Sequence, residues 1–150
     1  MANSYICCHL HIIFSTKERK AMINPDIQER LWAFIGGIAR ENKMKALVVG
    51  GIQDHIHALV SIPSTITISK AVQQIKGASS KWIHEIFPAG KDFAWQDGYG
   101  AFSVSSSMIE DVIRYIKGQE NHHRKKTFQE EYLELVEKCG VEFDPKYVFG

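Results

Sequence analysis

The chain has 150 residues, 45% of them hydrophobic and 23% charged, with a formal net charge of +1. That suits a single soluble domain over residues 1–150 with a sizeable core, and it excludes a disordered or strongly basic chain. The lack of a run of ~18 apolar residues, of a basic leader with a cleavage site, and of paired cysteines (Cys7, Cys8 and Cys139 only) argues against a membrane span, a signal peptide and a disulfide framework, and for the cytoplasm.

Residues 5–15, "YICCHLHIIFS", alternate. Ile6, Cys8, Leu10, Ile12 and Phe14 form one face; Tyr5, Cys7, His9, His11, Ile13 and Ser15 form the other, which predicts a half-buried strand. In "NPDIQERLWAFIGGIARENK", Asn24 can cap, Pro25 suits the first helical position, and Ile27, Leu31, Phe34, Ile35 and Ile38 recur at helical spacing. "KALVVGGI" and "HIHALVSI" read as the second and third strands. "TISKAVQQIKGASSKWIHEIF" is a second helix with a stripe of Ile68, Val72, Ile75 and Ile86, stopped before Pro88. A fourth strand follows the turn in "WQDGYGAFSVS". "SMIEDVIRYIKGQEN" predicts a third helix capped by Ser106 or Ser107. "TFQEEYLELVEKCG" predicts a last one, with a capping box of Thr127 and Glu130 and a stop at Gly140.

This order is the α+β, ferredoxin-like or RNA-recognition-motif-like split βαβ sandwich with additional C-terminal helices. The first two helices should cover one sheet face and the third helix the other. Strand parity places His55 and His57 on that second face, where two imidazoles can share a divalent ion or simply line the strand. His9 and His11 repeat the spacing on the first strand, an expected neighbour, as second-sphere groups or nucleic-acid contacts. On the third helix Tyr115 and Gln119 are four residues apart and therefore on one face. From Arg114 to Lys126, five basic residues stand against one Glu, which reads as a solvated helix end or a phosphate-contacting surface. Trp95, Tyr99 and Phe102 are either base platforms or core.

The ordered set "FSTKERK", "DHIHALVSIP", "QQIKGASSKWI", "WQDGYGAFSVS" and "YIKGQENHHRKKTFQEEY" resembles the single-tyrosine HUH transposases of bacterial insertion sequences, REP-associated tyrosine transposases included. The resemblance implies that His55, His57 and Gln119 hold a divalent cation, Mg2+ or Mn2+, with His122 as a substitute or second-sphere group, and that Tyr115 is the nucleophile. It implies cleavage and rejoining of single-stranded DNA at insertion-sequence ends through a 5′-phosphotyrosine, recognition of DNA hairpins, a homodimer, and no nucleotide cofactor. His11, Lys17, Arg19, Lys20, Arg114, Lys117, Arg124, Lys125 and Lys126 are the candidate nucleic-acid contacts. Glu18 stands where relatives often have a tyrosine, and no long basic extension follows, which favours an ordinary insertion-sequence enzyme. The alternatives are a non-catalytic or domesticated single-strand-binding module of the same fold, and a replication initiator or relaxase.

Overall fold

The computed structural model describes residues 3–87, 90–123 and 125–149. Its elements are β1 (His9–Ser15), α1 (Pro25–Glu41), β2 (Lys45–Gly51), β3 (His55–Ser61), α2 (Ile68–Ile86), β4 (Gly100–Val104), α3 (Ile109–Lys117), α4 (Gln119–His122) and α5 (Phe128–Lys138). The strands form one antiparallel sheet in the order β2-β3-β1-β4, the split βαβ arrangement with β1 and β3 at the centre.

Local chemistry sets the helix starts. Asn24 accepts from the Asp26 amide at 3.0 Å, with Pro25 following. Thr67 caps α2 through the Lys70 amide at 3.1 Å, and Thr127 caps α5 through the Glu130 amide at 3.2 Å.

One sheet face packs Leu10, Ile12 and Phe14 of β1 and Ile56, Ala58 and Val60 of β3 against Leu31 and Ile35 of α1 and Val72, Ile75 and Ile83 of α2. Each buried Leu, Ile, Val or Phe among them stabilises the fold by ~1.5–3 kcal/mol, so this layer is the main source of stability. The second face is divided. α3 lies over β2 and β3, while Phe128, Tyr132 and Val136 of α5 pack on Ile13 and Phe102. The seam between α3 and α5 lies over the centre of the sheet.

Several expectations need correction. The first strand begins at His9, so Tyr5 and Ile6 are exposed rather than paired. It is buried on both faces, not half-buried, because α5 covers Ile13 and the Tyr115 ring of α3 stands against His11. Ile68 and Ile86 lie at the ends of α2 and are exposed, whereas Ala71 and Ile83 belong to its buried stripe. The tyrosine helix has no serine cap. A 3-10 turn at Ser106–Met108 leads into α3 at Ile109. Gly118 then interrupts the helix before α4. α2 ends at Ile86, and Pro88, expected to stop it, lies outside the described residues.

Candidate active site

β3 delivers His55 and His57 to the second face, opposite Ser15 and Ile13 of β1. Both rings are fully buried. Buried polar groups require partners, and these come from every neighbouring element. His55 Nδ1 donates to Asp54 Oδ1 at 2.7 Å. His57 Nδ1 is 2.7 Å from His11 Nε2 on the adjacent strand. His57 Nε2 is 3.0 Å from Glu131 Oε1 of α5. The break at Gly118 turns the chain so that Gln119 and His123 both reach inward. Gln119 Oε1 lies 3.1 Å from His55 Nε2 and 2.8 Å from His123 Nε2. His123 Nδ1 donates to the Lys126 carbonyl at 2.7 Å.

This pattern fixes ring orientation. With Nδ1 of His55 and of His123 donating to oxygen, each neutral ring leaves an Nε2 lone pair pointing at the centre. Those lone pairs meet the Gln119 and Glu131 oxygens, which are also acceptors. Acceptor facing acceptor is repulsive, so positive charge belongs between them, as a ring proton or a cation. The donor atoms of His55, His57, His123 and Glu131 lie within 4.8 Å of one another. Two ligands opposed on one ion at ~2.1 Å are ~4.2 Å apart, so a contraction of about half an ångström seats a cation. Three imidazole nitrogens with carboxylate and amide oxygens fit a divalent transition ion.

Tyr115 stands beside this cluster. Its hydroxyl donates to Glu131 Oε2 and is 3.3 Å from His122 Nε2. Its ring centroid is 5.8 Å from that of His57 in the same chain. An open cavity of about 560 Å³ is lined by Asn121, His122, Lys125 and Lys126. A larger cavity of about 840 Å³, between the start of α1 and the end of α2, holds none of these residues.

The electrostatics follow from burial and from Glu131. Burial pushes the Tyr115 phenol up, and the Glu131 hydrogen bond and charge push it further, so it rests protonated. Burial would raise the Glu131 carboxyl. Hydrogen bonds from His123, His57 and Tyr115 overcome this and hold it well below the usual carboxylate range. Burial lowers His57 to about 4 against the opposing pull of Glu131. Burial and the neighbouring His57 lower His11 to about 3. For His123, burial is outweighed by its bond to Glu131 and by that carboxylate's charge, and its pKa rises.

The structure brings His55, His57, Gln119 and Tyr115 into one cluster. His122 sits beside the tyrosine hydroxyl rather than among the inward-facing nitrogens. His11 is buried and bonded to His57, so it supports that ring and is not open to a nucleic acid. Lys17, Lys117 and Lys125 are exposed. Lys20 pairs with Glu18 at 3.3 Å, Arg19 lies 5.4 Å over the Phe149 ring, Arg114 pairs with Asp111, and Lys126 pairs with Glu134. Arg124 lies outside the described residues. Trp95 and Phe102 are buried core side chains, and Tyr99 packs partly buried against the core, so none is a base platform.

Three contributors escaped the sequence reading: Asp54, His123 and Glu131. Glu131 had a signal. It occupies a position in the apolar stripe of Phe128, Tyr132 and Leu135, where a solvated helix would carry no carboxylate.

The family model described as "Transposase IS200 like" matches residues 4–119. The ISDra2 transposase TnpA of Deinococcus radiodurans is 25% identical over 114 residues, covering 73% of this chain and 81% of that protein. The transposase for insertion sequence element IS200 of Salmonella typhimurium is 25% identical over 116 residues, covering 72% of this chain and 76% of that protein. Among solved structures, a Deinococcus radiodurans R1 chain described as a candidate transposase superposes with a TM-score of 0.65 at 23% identity, covering 79% of this chain and 96% of its own. A REP-associated tyrosine transposase bound to a REP hairpin gives 0.60 at 14% identity, covering 82% and 73%. These two likenesses speak for the fold.

Proposed function

Since this chain belongs to the IS200-like transposase family, matched over residues 4–119, we propose that it cleaves and rejoins single-stranded DNA at insertion-sequence ends by metal-dependent transesterification through Tyr115. The observation that carries this reading is the placement of the Tyr115 hydroxyl against a buried cluster of His55, His57, His123, Gln119 and Glu131.

In the cleavage step the Tyr115 oxygen attacks a phosphodiester phosphorus in line. The bond to the 3′-oxygen breaks, leaving a 5′-phosphotyrosine and a free 3′-hydroxyl. A 3′-hydroxyl later attacks the tyrosyl phosphate and reseals the strand. Bond energy is kept in the tyrosyl link, so no nucleotide cofactor is needed.

His55, His57 and Gln119 would hold the cation, with Asp54 and His11 fixing the two strand rings. A divalent cation there would stabilise charge on the scissile phosphate and offset the Glu131 charge that now disfavours the phenolate. Of Mg2+ and Mn2+, the imidazole-rich donor set favours Mn2+. Lys117, in the last turn of α3, and Lys125, beyond α4, are exposed and suit phosphate contact. Hairpin recognition is supported by the bound REP hairpin of the structural relative. The family resemblance further supports a homodimer, and residues 1–150 working as one domain in the cytoplasm.

The test is incubation with single-stranded hairpin DNA and Mn2+, followed by a denaturing gel. A covalent protein–DNA adduct is expected. DNA binding without any adduct would favour a non-catalytic module of the same fold.

A further inference from the structure

The two oxygens of Glu131 serve different groups. Oε1 lies 3.0 Å from His57 Nε2, 3.2 Å from His123 Nε2 and 3.5 Å from His55 Nε2. Oε2 accepts from the Tyr115 hydroxyl, accepts from Gln119 Nε2 at 3.3 Å, and stands 3.1 Å from His122 Nε2. The residue belongs to α5, beyond the stretch the family model matches. It is 1% exposed. A carboxylate removed from water at a stripe position that would otherwise be apolar is costly, and is tolerated where its lone pairs are all used. Here they are, and they are divided between two sets of partners.

Resting on the reading above, we propose that Glu131 is a bridging residue: Oε1 joins the imidazoles as a donor to the divalent cation while Oε2 holds the Tyr115 phenol. Both oxygens belong to one planar group. The separation between nucleophile and cation is therefore set by a single side chain and cannot drift as α3 and β3 move independently. Misplacement of a reacting group by ~1 Å costs on the order of 100-fold in rate, so such a clamp has kinetic consequences. Gln119, one residue beyond the helix break, reinforces the arrangement by donating to Oε2 and to the Tyr115 carbonyl at 3.3 Å each.

The experiment labels the full chain with 3-fluorotyrosine, assigns the Tyr115 fluorine signal with Tyr115→Phe, and titrates metal-free protein with Mn2+. Paramagnetic broadening reports both cation affinity and the distance of the phenol from the cation, without DNA. In the wild type the Tyr115 signal should vanish near one equivalent of Mn2+. In Glu131→Gln and Glu131→Ala the Mn2+ needed should rise at least ~10-fold, as for loss of a supporting ligand. Glu131→Asp keeps the charge but draws it back by one methylene. It should bind Mn2+ more tightly than Glu131→Ala, yet form DNA adduct roughly 100-fold more slowly than wild type. Should Glu131→Ala not fold, the near-isosteric Glu131→Gln carries the same titration. Identical Mn2+ dependence in wild type and Glu131→Gln, or wild-type adduct rates in Glu131→Asp, would overturn the proposal. A wild type that forms no adduct on any single strand would reject the transposition chemistry, while the fluorine titration still decides the role of Glu131.

Discussion

Gly50 of β2 faces the main chain of Ile116 on α3: a Cβ built on Gly50 would lie 3.0 Å from both the Ile116 carbonyl oxygen and its Cγ2. Absence of a side chain at this one position lets the helix sit directly on the strand. Tyr115 is the adjacent residue, so the contact also sets how far the phenol hangs from His57. Gly50→Ala should destabilise the fold by ~1–3 kcal/mol through overpacking. It should also slow adduct formation more than it weakens DNA binding, because α3 must lift. Thermal melts with single-turnover kinetics test this, and an unchanged cleavage rate would show that the helix position does not govern the nucleophile.

Removing a strand imidazole separates chemistry from recognition. His57→Ala should lower cleavage by at least ~100-fold while leaving most of the hairpin affinity, since the exposed lysines stand outside the buried cluster. Gel shift and cleavage assays on the same DNA make the comparison. Cleavage close to wild type would remove His57 from the site.

Tyr115, His57 and Glu131 meet within one chain, which supports a site that each protomer supplies by itself. A mixture of Tyr115→Phe and His57→Ala proteins should therefore form no adduct. Recovery of adduct in the mixture would mean that the tyrosine helix serves a partner's histidines.

Acid should destabilise the metal-free protein. His11 at about 3 and His57 at about 4 are both depressed below 6.5, burial being the main cause. The unfolded chain therefore binds more protons than the folded one between these values. Their stabilisation is complete above pH 6.5 and is lost as pH falls toward 4. His123, raised above 6.5, acts in the opposite sense, adding stability at low pH that fades as pH rises through its own value. His11 faces His57, Tyr115 and Glu131, of which Glu131 alone favours its protonation. Melting temperature should fall steadily from pH 7 to pH 4, with a shallower slope in His11→Gln. A flat profile would contradict the buried, neutral imidazoles.

Much of this arrangement was legible in the sequence because it rests on short-range regularities. The period-two alternation in "HLHIIFS" and "HIHALVS" located the central strands and the face carrying His55 and His57. Asn24, Pro25 and Thr127 marked helix starts that the hydrogen bonds reproduce. The remainder depends on relations that spacing does not encode. Gly118 ends α3 one turn early, and only after that bend does His123 point inward. Glu131 comes from another helix altogether, and its partner His57 lies 74 residues away in sequence. The aromatic residues Trp95 and Phe102 could be stacking platforms or core by composition alone. The packing of Trp95 against Phe14 and Phe93, and of Phe102 against α5, decides for core.

The most direct measurement is the identity of the protein atom joined to DNA. Adduct formed on single-stranded hairpin DNA with Mn2+ should be digested and mapped by tandem mass spectrometry. A nucleotide 5′-phosphate on Tyr115 is expected, with no adduct from Tyr115→Phe. Attachment at another residue, or adduct from Tyr115→Phe at the wild-type level, would contradict it.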